Sequence, residues 1–255
     1  MRHCPTTATT RQVRQMLESD FKQPPLRKSS DTLPTAYIDT VAVAILQRFT
    51  PVTLEEWTPL QTVPDGNCMY RAASLGLFGT QEYHIYIRVL AALEIIENRD
   101  YYDTASASYA RTITDTRILS PPYCELVKSI TTPGSYGELL HMYAFSAAFQ
   151  VPVTSFCPSS SSWMTSVHPY SLVIYGRNVR RTTNPDIFLL WTWTSATSNL
   201  NGESANHVVY LERKTVGQSC AIDINIGEDQ WLKWAGTPRY AVPSPRFFRV
   251  HSTAS

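Results

Sequence analysis

Cys68 stands where a thiol can become a nucleophile. It follows Pro64-Asp65-Gly66-Asn67, a succession of turn-forming residues, and precedes Met69, Ala72, Ala73 and Leu77, which recur at helical spacing until Gly79. The pattern predicts a tight turn that delivers Cys68 into the first turn of a helix, with Asn67 placed to cap it. A helix N-terminus favours a thiolate, and the main-chain N–H groups of such a turn can hold the oxyanion of an attacked carbonyl. Gly66 lets the backbone come close to a substrate. The plain alternative is a buried, inert thiol, which is what most free cysteines are.

The remaining cysteines, Cys4, Cys124, Cys157 and Cys220, follow no such turn and read as structural thiols. The odd total of five and the lack of any Cys-x-x-Cys pair argue against a disulfide framework, and no His/Cys spacing suits zinc. The first 30 residues are polar and hold no apolar signal core. No apolar run approaches the roughly 18 residues of a membrane-spanning helix. A reduced intracellular protein is therefore expected, in the cytoplasm with the nucleus as a second compartment. With 22 basic and 21 acidic residues, charge balance offers no general attraction to nucleic acid or anionic membrane. The basic cluster Arg177, Arg180 and Arg181 reads as a solvated loop.

Several elements must position the thiol. Helical periodicity is present over residues 11–21, 35–49, 69–78, 81–98 and 136–149. In 81–98 the inward stripe is Ile85, Val89, Ala92, Leu93 and Ile96, the strongest periodic signal in the chain. Residues 99–134 show no clear pattern beyond the turn signals Pro121-Pro122 and Pro133-Gly134. Strand-like runs rich in β-branched and aromatic residues follow at 151–156, 172–175, 187–193 and 207–211. Helices first and strands later predict an α+β domain with helices packed on a sheet.

The stretch Asp65-Gly66-Asn67-Cys68-Met69-Tyr70-Arg71-Ala72 resembles the signature of the OTU family of cysteine proteases: Asp-Gly-x-Cys, an apolar residue, an aromatic, Arg and Ala. Tyr136-Gly137-Glu138 resembles the family's Trp-Gly or Tyr-Gly start of a helix, followed by a strand from Val151. Asn206-His207-Val208-Val209-Tyr210 resembles the closing strand that carries the catalytic base. The resemblance covers residues 55–215, which leaves 1–54 as an N-terminal extension with one or two helices and 216–255 as a C-terminal extension.

The resemblance implies an OTU-like fold of the papain-like superfamily, a central mainly antiparallel sheet packed between helices. It implies Cys68 as nucleophile, His207 as base and Asp65 as the acidic member, with an oxyanion hole in the turn that includes Gly66 and Asn67. It implies no metal and no organic cofactor, and a ubiquitin or ubiquitin-like conjugate as substrate and partner. One position departs from the family pattern. Many members carry Asp or Asn two residues after the histidine, where Val209 stands here. Orientation of His207 must then come from Asp65, Asn206 or a backbone carbonyl. A second class of function stays open, an OTU-like module that binds ubiquitin or another protein without cleaving it. Cys68 and His207 favour the enzyme; Val209 favours the module.

Overall fold

The computed structural model describes residues 7–20, 22–28, 31, 33, 37–49, 53–106, 121–157, 171–180, 187–194 and 205–214. The sequence readings for residues 216–255, and for Cys4, Arg181 and Cys220, lie outside these. The helices are α1 (Thr7–Asp20), α2 (Thr40–Phe49), α3 (Thr53–Glu56), α4 (Cys68–Phe78), α5 (His84–Glu97), α6 (Arg99–Tyr102), α7 (Tyr123–Thr131) and α8 (Leu139–Phe149). The strands are β1 (Trp57–Leu60), β2 (Val153–Phe156), β3 (Leu172–Ile174), β4 (Ile187–Thr192) and β5 (His207–Arg213). Among the described residues no helix is long and apolar enough to cross a membrane.

The strands form one sheet of order β1-β5-β4-β2-β3. The β1–β5, β4–β5 and β2–β3 pairs are antiparallel, and β2–β4 is parallel. Alternation along β5 sends Val208 and Tyr210 into the main core with α4, α5, α7 and α8. Val209 and Leu211 point the other way, where Ala42 and Leu46 of α2 meet them and Leu190 of β4. The sheet is thus covered on both faces, in the α+β arrangement expected. Helix α8 is buried on nearly all sides, as its apolar sequence requires.

Besides the single turns α3 and α6, strand β1 and helix α7 have no counterpart in the sequence reading. Strand β1 contains Pro59, which cannot donate to a ladder and is tolerated because β1 is an edge strand. Its outer side is occupied: Asp39 N–H donates to Pro59 O at 2.9 Å, and Gln61 N–H donates to Tyr37 O. Helix α7 lies in the stretch 99–134 where periodicity was unreadable. It buries Tyr123, Leu126, Val127 and Ile130 in only nine residues.

The stripe expected on α5 is rotated. Ile85 is 42% exposed, whereas Arg88 and Glu94 are buried with Ile87, Ala91 and Ile95. A charged residue goes inside when it finds fixed partners. Glu94 accepts two hydrogen bonds from Arg177 at 2.8 and 3.0 Å and a further one from Asn98. Arg177 is therefore an anchor of its loop rather than a solvated cation. The same loop is held at Gly176, whose N–H donates to the buried Ser146 hydroxyl at 2.9 Å, while Ser146 donates to Val151 O.

A Cβ on Gly176 would stand 2.3 Å from Ala147 N and 2.4 Å from Tyr143 O, both main-chain atoms of α8. Gly176→Ala is expected to cost roughly 2–3 kcal/mol by forcing β3 away from α8. The thermal midpoint measures it, and an unchanged midpoint would disprove this close approach.

Candidate active site

The turn before α4 is built by its own side chains. Asp65 accepts the N–H of Asn67 at 2.9 Å and grips Arg71 with both carboxylate oxygens, the shortest contact being 2.6 Å. Gly66 has φ +79°, and a Cβ there would lie 1.8 Å from Gly134 O, so only glycine fits. Asn67 does not cap the helix, contrary to expectation. Its side-chain oxygen instead accepts Arg88 Nη1–H at 2.6 Å and Gly134 N–H at 3.1 Å.

Arg88 is the hub of this region. Besides Asn67 it donates to the carbonyls of Ile130, Ser129 and Ser135, all within 2.9 Å. Its guanidinium lies 4.6 Å from the ring centre of Tyr70, whose hydroxyl meets His141 Nδ1 at 2.9 Å. His141 Nδ1 also accepts Glu138 N–H, closing a capping box at the start of α8. Sequence reasoning passed over both residues, because an arginine and a histidine on helices give no outward sign of burial. Gly137 faces Met69, with Met69 Sδ only 2.5 Å from where a Cβ would stand.

The thiol of Cys68 is 2% exposed. N–H groups of Val208, Met69 and Cys68 itself surround it, so the start of α4 and the residue after His207 meet at the sulfur. Asn67 N–H is committed to Asp65 and Asp65 N–H to Val63 O, which leaves Gly66 and Cys68 as the main-chain donors of the turn. His207 is 4% exposed. Its Nε2 lies 3.3 Å from Thr62 Oγ1, and its Nδ1 has no hydrogen-bond partner among the described residues.

Of the expected orienting groups, the side chains of Asp65 and Asn206 make no hydrogen bond to this ring, whereas the Thr62 backbone interacts with it and favours its protonated form. Asp65 is spent on Arg71 and Asn67, and Asn206 Oδ1 accepts Thr194 N–H at 3.0 Å. Thr62, which joins the histidine instead, carried no sequence signal beyond its place three residues before Asp65. Among the described residues no group of three or more His, Cys, Asp or Glu side chains converges as a metal site would require.

A family model described as "Vertnin, OTU domain" matches residues 59–192, more than half of the chain. The chain belongs to the OTU-domain family. The match includes Cys68 and ends before His207. No curated protein matches the chain. Among solved structures, the OTU domain of OTUD1 is 15% identical with a TM-score of 0.44, covering 67% of this chain and 98% of that one. OTUB1 in a complex with ubiquitin aldehyde and UBC13~Ub is 14% identical with a TM-score of 0.43, covering 82% and 98%. The Hazara virus OTU bound to ubiquitin is 12% identical with a TM-score of 0.39, covering 64% and 85%.

In this OTU domain Cys68 and His207 are buried and neutral. Burial pushes the Cys68 thiol up to about 11, against the surrounding N–H groups, which pull it down. Burial brings His207 down to about 4, although the charge of Asp65 and the Thr62 backbone favour its protonated form. Burial and Arg88 bring His141 down to about 3. Burial also raises Asp65, but Arg71 and the Asn67 N–H outweigh it and hold the carboxyl at about 2. At pH 7 the thiol and imidazole are both neutral, so Cys68 is poorly reactive in this arrangement. Iodoacetamide at pH 7 should modify the exposed Cys124 at least about tenfold faster than Cys68. Peptide mapping at partial modification reads this out, and equal rates would contradict a shielded thiol.

The depressed histidines also set a pH dependence. Folded His207 binds its proton more weakly than the unfolded chain, so its stability contribution is full above about 6.5 and declines toward 4. Each such group contributes up to about 1.4 kcal/mol per pH unit across its window. Asp39 and Glu138, raised by burial, act in the opposite sense. His207→Gln should therefore lose less stability than wild type between pH 7 and 5. Parallel denaturation curves at the two pH values would contradict a buried neutral His207.

Proposed function

We propose that this chain is a thiol hydrolase that cleaves the isopeptide bond between the C-terminus of ubiquitin, or of a ubiquitin-like protein, and a lysine amine. The observation that carries this reading is the meeting of Cys68, at the first turn of α4, with Val208, the residue next to His207. In the proposed sequence His207 takes the thiol proton and Cys68 Sγ attacks the carbonyl carbon. The N–H groups of Gly66 and Cys68 hold the oxyanion. Collapse of the tetrahedral species breaks the C–N bond, and the lysine amine leaves with the proton from His207. Water, deprotonated by His207, then hydrolyses the thioester. A free catalytic thiol suits a reducing compartment, the cytoplasm or nucleus.

The closed, uncharged pair favours a second reading, an OTU module that holds ubiquitin without cutting it. A ubiquitin carrying a C-terminal electrophile separates the two. The hydrolase forms a covalent adduct, Cys68→Ala forms none, and His207→Ala forms it on the order of 10²-fold more slowly, with far-UV circular dichroism unchanged. No adduct with ubiquitin or the ubiquitin-like probes, but retained binding, would leave the module as the function.

A further inference from the structure

A neutral imidazole can accept a thiol proton only through a bare ring nitrogen, so its own proton must be held on the other one. What holds it here is the question the departure at Val209 raises. Val209 is buried among Ala42, Leu46, Leu190 and Leu211 and offers no acceptor. The carboxylate of Asp65 and the amide oxygen of Asn206 are committed elsewhere.

Thr62 lies two residues past the end of β1 and of its ladder with β5, and it is 1% exposed. Its Oγ1 is 2.6 Å from Val208 O and 3.3 Å from His207 Nε2. A hydroxyl has one proton, and a carbonyl oxygen can only accept. The proton of Thr62 therefore goes to Val208, and toward Nε2 the same oxygen can act only as an acceptor. That requires a proton on Nε2 and leaves Nδ1 as the lone-pair nitrogen. Nδ1 is the ring atom that is buried without a partner, as a base waiting for a proton would be.

We infer that Thr62 is the positioning residue of this site, with a chain from His207 Nε2–H to Thr62 Oγ1 and from Thr62 O–H to Val208 O that holds His207 with Nδ1 as its basic nitrogen. The chain is cooperative, since each bond polarises the next. Val208 serves both ends: its carbonyl anchors Thr62, and its N–H faces the Cys68 thiol. The main-chain oxygen of Thr62 is a competing acceptor, which Thr62→Val would leave in place, and Thr192 is the competing hydroxyl. It lies directly across the ladder from His207 and is buried, yet its Oγ1 has no hydrogen-bond partner among the described residues.

The inference rests on the reading of Cys68 and His207 as nucleophile and base, but the tautomer is measurable without any substrate. Ring ¹⁵N shifts and couplings of the full chain labelled in histidine assign it. The expected result is Nε2–H for His207 in wild type, in Thr62→Ser and in Thr192→Val, with Nδ1–H appearing in Thr62→Val. On a ubiquitin C-terminal fluorogenic amide, Thr62→Val should lower kcat about tenfold or more with KM little changed, and Thr62→Ser should restore it. Nδ1–H in wild type overturns the inference, as does Nε2–H retained in Thr62→Val or lost in Thr192→Val. If Thr62→Val does not fold, the wild-type and Thr62→Ser rings decide. An Nε2–H ring that follows Thr62 in a protein unreactive toward ubiquitin supports the inference and removes the proposed function.

Discussion

The guanidinium of Arg88 is the constraint on which the site depends. It sits 3% exposed, with no carboxylate among its hydrogen-bond partners, and its positive charge is met by three carbonyl oxygens, one amide oxygen and the face of Tyr70. Taking a cation out of water is costly, and only a full set of acceptors makes it tolerable. The geometry of those acceptors is therefore not free to vary. Through them one side chain of α5 fixes the entry to α4, the end of α7 and the 134–135 turn at once. The close contact of Gly66 with Gly134 O follows, because Asn67 is tied to both Arg88 and Gly134.

Seen from this hub, the motif around Cys68 divides into parts with different duties. Asp65 and Arg71 clasp the turn, Tyr70 lies against Arg88, Met69 fills the space beside Gly137, and Ala72 is fully buried. Only Cys68 and the N–H groups near it remain for chemistry. A residue of the motif is thus no guide to catalysis by itself. Asp65 shows this most plainly: its carboxylate is ionised and its hydrogen bonds are made within the turn, while its charge still favours the protonated form of His207.

Much of the fold was legible because its signals are local. The start of α4, the long periodic run of α5 and the β-branched strands all announce themselves within a few residues. What was not legible depends on distant partners. Arg88 and Glu94 look like the wet side of α5 until Asn67, Ser135 and Arg177 are brought to them from far along the chain. Strand β1 is masked by Pro59, and its strand character comes from pairing with β5, some 150 residues later. The place of Thr62 beside His207 has the same origin, since that contact also spans the β1–β5 pairing.

The outer edge of β1 has a consequence for how the molecule keeps to itself. An unprotected sheet edge recruits strands from other molecules, and proteins suppress this with proline, short strands or a covering segment. Here all three coincide: β1 has four residues, contains Pro59, and has Tyr37–Asp39 bonded along its free side. On the other edge, β3 is three residues long and is followed two residues later by the anchored Gly176. The segment before α2 is therefore a guard as well as an extension. Shortening the chain past residue 39 would leave the Pro59 carbonyl and the Gln61 N–H bare, and would turn a self-contained sheet into a template for aggregation.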